Sequence, residues 1–240
     1  MIGPEQLAAG HRAENAGDFV AAVAAYRAVI DVPDEHLAAQ AQFCLGRVTW
    51  RQGRFDASLA AFENARALAE RIGDHELHAR VANGVGAVHY AKGDYPAARR
   101  AYAEAQARTL DRAMRGKILL NLGVIENIEG NYLGALSFYE SAYALFDESK
   151  DNGSAMLAVH NRGMVEADLE RWDDADASFL AALALATCGM GVTPWSPVKK
   201  RSVRSLPTFS SSQRKKPSRV ASRRTIPSAI SLESGPNAWP

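Results

Sequence analysis

The chain has 240 residues, 47% of them hydrophobic, and only two cysteines, Cys44 and Cys188. Such a chain can bury a sizeable core. Two distant cysteines with no C-x-x-C partner exclude a disulfide framework and a cysteine zinc site, and both are expected to be small buried side chains. The net charge of +1 hides a division: from Met190 on there are ten basic residues and one acid, Glu233, out of totals of 28 and 27. The first 189 residues therefore hold 18 basic and 26 acidic residues, a net of −8, so the expectation is an acidic body with a basic tail.

Residues 1–19 contain Glu5, Glu14 and Asp18 and no apolar run, so no signal peptide is expected and the cytoplasm is the expected location. The longest apolar run, 179–186, is far short of the ~18 residues a membrane span needs. From Gly10 a pattern begins and recurs. Opening glycines stand at Gly10, Gly46, Gly86, Gly123 and Gly163, at periods of 36, 40, 37 and 40. Nine residues after each comes an aromatic: Phe19, Phe55, Tyr95, Tyr132 and Trp172. Twelve after comes a small residue: Ala22, Ser58, Ala98, Ala135 and Ala175. Sixteen after comes a second aromatic: Tyr26, Phe62, Tyr102, Tyr139 and Phe179. Nineteen after stands Val29, Ala65, Ala105, Ala142 or Ala182.

The apolar spacing is helical rather than alternating. It predicts ten helices of roughly 13–18 residues, paired in units at about 4–33, 34–73, 74–110, 111–150 and 151–188. A glycine inside the first helix costs about 1 kcal/mol relative to Ala, which makes sense only where two helices approach closely. The small residue twelve later is expected to face it. The aromatic sixteen later is expected to fill the seam to the next unit. Gly17-Asp18, Gly53-Arg54, Gly93-Asp94 and Gly130-Asn131 predict the turn between the paired helices: glycine for positive φ, a polar residue to start the second helix. The fifth unit has Glu170-Arg171 there instead, and Arg162 where an apolar residue is usual.

This iterated Gly, Gly-polar-aromatic, Ala, Tyr, Ala pattern resembles the tetratricopeptide repeat over about residues 6–186. The units are longer than the family's usual ~34 residues, similar to those of kinesin light chains, bacterial regulatory proteins and peptide-pheromone receptors. The resemblance implies an all-α, right-handed superhelical solenoid whose first helices line a concave groove. It implies a non-enzymatic scaffold with a protein or peptide as partner and no cofactor. Groove positions would be Phe43, Arg47, Trp50 and Arg51 in the second unit, Asn83 and Tyr90 in the third, Lys117, Asn121 and Asn127 in the fourth, and His160 and Asn161 in the fifth. Asn121 and Asn161 are equivalent, and an amide offers both donor and acceptor to an extended backbone. The alternative is that they tie neighbouring helices together. Arg47, Arg51 and Lys117 would attract an acidic group, and Trp50 and Tyr90 would be apolar anchors. The five-residue carboxylate clamp of chaperone-binding members is not present in any register.

No phosphate loop, nucleophile elbow or His-Glu-x-x-His motif occurs; Gly84-Val85-Gly86 lies inside a helix pattern. His75 and His78 are expected as surface histidines at a connector. Asp173, Asp174 and Asp176 are expected as acids favoured at a helix start rather than a metal site. Residues 189–240 are rich in Ser, Pro, Arg and Lys and read as disordered. They are open to three readings: a solvated tail, an arm for nucleic acid or an acidic surface, or non-native sequence from a shifted reading frame. A further alternative for the whole chain is a sensory fragment of a larger regulator.

Overall fold

A computed structural model describes residues 2–188, and among them the secondary structure is entirely helical. Ten helices run in order: α1 (Ile2–Asn15), α2 (Phe19–Ile30), α3 (Glu35–Arg51), α4 (Phe55–Ile72), α5 (His75–Ala91), α6 (Tyr95–Arg108), α7 (Arg112–Ile128), α8 (Tyr132–Glu148), α9 (Asn152–Asp168) and α10 (Trp172–Cys188). The readings placed on 189–240 lie outside the described residues.

Local chemistry starts and stops these helices. Asp18, Asp34, Asp74, Asp94, Asp111, Asn131 and Asp151 each accept a hydrogen bond from a backbone N–H of the following helix, satisfying a donor that has no partner within the helix. Arg54, before α4, makes no such cap. The turns inside the first four units place Gly17, Gly53, Gly93 and Gly130 at φ of +72° to +83°. Glu170 takes the same left-handed conformation at φ 59° in the fifth.

Each helix packs on its partner within a unit, and each second helix packs on the first helix of the next unit. First helices also touch their counterparts in adjacent units: α1 on α3, α3 on α5, α5 on α7, α7 on α9. Second helices make no such contacts among the described residues. The array therefore curves with its first helices inside and its second helices outside. This is a solenoid of five helical hairpins.

The opening glycines have a definite reason. A Cβ built on Gly10, Gly46, Gly86, Gly123 or Gly163 would meet a ring atom of Tyr26, Phe62, Tyr102, Tyr139 or Phe179 at 2.4–2.8 Å. The aromatic sixteen residues on thus lies flat against its own unit's glycine, where the sequence pattern suggested the seam beyond. The seam role is real too in the second unit: Phe62 is also 2.6 Å from a Cβ built on Gly84 of the next unit. The residue twelve on faces the glycine as expected in that unit, since the Ser58 hydroxyl donates to the Gly46 carbonyl at 2.7 Å. Tyr26, Phe62, Tyr102 and Tyr139 are 0–1% exposed.

Candidate interaction groove

The inner wall is built from α1, α3, α5, α7 and α9. Because these helices touch one another, their middles are closed off; toward the hairpin-turn end Trp50 and Asn127 are half-buried and Tyr90 is buried. Phe43, Asn83 and Asn121 are therefore core rather than groove residues, 1–2% exposed, and Asn161 is buried at 6%. The Asn121 amide donates to the Asn83 carbonyl oxygen at 3.1 Å, tying α5 to α7. The structure thus gives Asn83 and Asn121 the helix-tying role. The Asn161 Nδ2 is buried with no hydrogen-bond partner.

The arginines are also engaged. Glu14, 4% exposed, accepts two bonds from Arg47, at 2.8 Å to Oε1 and 2.6 Å to Oε2. It accepts the Tyr26 hydroxyl at 2.8 Å and a longer contact from Arg51 at 3.4 Å. Arg47 also lies 5.9 Å from the Phe43 ring, whose face carries Arg80 at 4.4 Å, and Arg51 sits 5.7 Å from Phe19. Drawing Arg47 to a guest's acid would break a buried ion pair, a cost of about 3–5 kcal/mol. Arg47 is therefore a structural residue, contrary to the attraction for an acidic ligand expected of it. Sequence spacing does not reveal this, because Glu14 is 33 residues away in another unit.

One register of the wall stands out, four residues after the opening glycine. There α3, α5 and α7 present Trp50, Tyr90 and Asn127. The Trp50 indole N–H, the Tyr90 hydroxyl and the Asn127 carbonyl oxygen are all without hydrogen-bond partners. Burial, with a smaller contribution from neighbouring Tyr95, pushes the Tyr90 hydroxyl up to about 12, so it is a neutral donor at physiological pH. Buried polar atoms are nearly always paired, so three successive orphans in one column are informative. Beside them, Phe19, Trp50, Arg51, Gly53, Phe55 and Ala91 line an open recess of about 460 Å³ at the turn end of the groove. Lys117 is half-buried and His160 exposed.

The histidines differ from expectation. His75 is exposed, but His78 is 1% exposed, with Nε2 at 2.6 Å from Glu104 and Nδ1 at 3.7 Å from Glu70. It is a core bridge between α4, α5 and α6. Among the described residues no three His, Cys, Asp or Glu side chains converge as a metal site, and no helix is long and apolar enough to cross a membrane. Cys44 is buried. Arg162, polar where an apolar residue is usual, bonds Ser178 at 3.1 Å and approaches Glu166 at 3.5 Å.

Two tetratricopeptide repeat family models match the chain, over residues 37–110 and 86–152. Together with the five stacked hairpins, this places the chain in the family: it is a tetratricopeptide repeat protein. Among solved structures, BtubC (BKLC) from P. vanneervenii is 21% identical, with 77% of this chain and 80% of that one covered and a TM-score of 0.63. A putative kinesin light chain of Podosopora anserina with nearly identical TPR-like repeats is 16% identical, covering 79% and 97%, with a TM-score of 0.57. MamA is 18% identical, covering 80% and 98%, with a TM-score of 0.53. These are similarities of fold. No curated protein matches the chain.

Proposed function

We propose that this protein is a non-catalytic interaction scaffold that holds an extended peptide or protein segment against the turn end of its inner wall. The observation that carries this reading is the column of unpartnered atoms at Trp50, Tyr90 and Asn127. It offers donors at Trp50 and Tyr90 and an acceptor at Asn127 to a peptide backbone. The recess bounded by Phe19, Trp50 and Phe55 takes an apolar or aromatic side chain of the same guest. Lys117 and His160 stand ten and seven residues before this register on α7 and α9, nearer the other end of the wall, whereas Asn83, Asn121 and Arg47 hold the wall together from within.

A phage-displayed random peptide library panned on the full chain tests it. Selected peptides should share an apolar anchor, and Trp50→Ala with Asn127→Ala should weaken them at least tenfold while the circular dichroism spectrum stays helical. Failure to enrich any peptide, or binding indifferent to both substitutions, would sink the proposal.

A further inference from the structure

The two ends of the solenoid are built differently. At internal seams the first helix of a unit meets the preceding unit with an aliphatic residue two after its glycine: Val48, Val88, Ile125 and Val165. Five before the glycine it offers Ala41, Val81, Ile118 and Ala158. All of these are buried. In α1 the same positions are Arg12 and Glu5, both exposed, so the N-terminal end is polar and closed to further stacking.

Among the described residues, the C-terminal end is open. Phe19 and Phe55 lie beside Arg51 and Ala91 of the following units, whereas their counterpart in α10, Trp172, is 55% exposed and Leu183 is 57% exposed. Phe179 is partly exposed, whereas its counterparts in the other four units are 0–1% exposed. Of the charges on this end face, one repeats an internal one and one reverses it. Asp56 of α4 pairs across a seam with Lys92 at 3.1 Å, and Asp173 of α10 is its exact positional equivalent. Arg99 of α6 pairs across the next seam with Glu126 and Glu129, both at 2.6 Å, and its equivalent in α10 is Asp176, of opposite sign. Asp173 and Asp176 are both exposed.

We infer that this end face is a docking site for a helix of a partner protein: amphipathic, with a small residue opposite Phe179, aliphatic neighbours, and a basic residue near its C-terminal end to meet Asp173 and Asp176. The four internal seams are the template. Residues 189–240 lie outside the described residues; in their sequence Pro194, Pro197, Pro207, Pro217, Pro227 and Pro236 leave no proline-free stretch longer than nine residues, against the 17 residues of α3, α5, α7 and α9. A second copy does not supply such a helix through α1, which carries Arg12 and Glu5 where the seam needs apolar side chains.

The helix α5 is itself a probe, because the α4 face it packs on has Phe62 and Asp56 where α10 has Phe179 and Asp173. A fluorescent peptide of residues 74–93, stapled through positions 76 and 80 to hold it helical, is titrated into the full chain. Saturable binding is expected. Trp172→Arg in the protein should weaken it at least tenfold, because its counterpart Phe55 lies beside Ala91 of α5. Gly84→Leu in the peptide should do the same. Asp173→Lys should weaken it three- to tenfold and be rescued by Lys92→Glu in the peptide. No saturable binding, or binding that survives Trp172→Arg, overturns the proposal. So does a concentration-dependent dimer in sedimentation that Trp172→Arg abolishes, which would make the occupant a second copy.

Discussion

Glu170 shows how a single backbone angle departs from an otherwise uniform repeat. It holds φ at 59° where the other four units use glycine. A left-handed conformation costs a non-glycine residue about 1–2 kcal/mol, partly offset because glycine loses more entropy on folding. Glu170→Gly should therefore stabilise the protein by about 1 kcal/mol, read as a raised midpoint in urea. A lowered midpoint would show that the side chain holds this turn by contacts of its own. The missing glycine was visible in the sequence; that the chain keeps the same turn regardless was not. His78 makes the opposite point. Its Glu104 partner lies 26 residues away on another helix, so nothing adjacent in sequence marks it as a buried residue.

Within the helical elements, the opening glycine and the aromatic sixteen residues later act as one packing device. A Cβ on Gly86 would sit 2.4 Å from the Tyr102 ring, which is fully buried and cannot swing away. Overpacking costs about 1–3 kcal/mol, more than the ~1 kcal/mol that alanine returns in helix propensity. Gly86→Ala should lower stability by roughly 1–2 kcal/mol, with partial recovery when Tyr102→Leu is added. Gly153→Ala is the control: its nearest neighbour would be an Asp151 oxygen at 3.6 Å, and the change should be neutral or stabilising. Equal losses at both glycines would mean that propensity, not ring contact, decides. Repetition also appears in charge. Glu35 pairs with Arg71 across the second unit, and Arg112 with Glu148 at the same offsets in the fourth, with signs exchanged. Exposed pairs of this kind contribute about 0–1 kcal/mol each, so they help set pairing register rather than hold the array together.

The whole molecule has its aromatic core spread along its length, and this gives it an alkaline limit. Tyr26, Tyr102 and Tyr139 lie in three different units, and burial, the largest cause in each, holds all three above the ordinary value of 10.0. The unfolded chain releases these protons first. Stability is therefore complete below pH 10 and is lost as the pH rises past it. Urea midpoints measured between about pH 8 and 11.5 should fall at the alkaline end. Tyr102→Phe should change little at neutral pH, because that hydroxyl has no partner, and should flatten the alkaline fall. A flat profile in the unsubstituted protein would contradict the burial of these rings.

The repeat, the helix pairs and their turns were set by the sequence alone, because helical periodicity, glycine placement and capping residues act over a few residues. The acidic character of the body was likewise a matter of counting. Which polar groups of the inner wall remain available was decided only by tertiary structure. Glu14 claims Arg47, Asn83 claims Asn121, and abutting first helices bury Phe43, while Trp50 and Asn127 keep unmatched atoms. The open end of the array has the same origin: Phe179 follows the ordinary pattern, and only the lack of a covering helix among the described residues leaves it partly exposed. Contacts between units join residues 30 to 40 positions apart, and no local signal records which pairs meet.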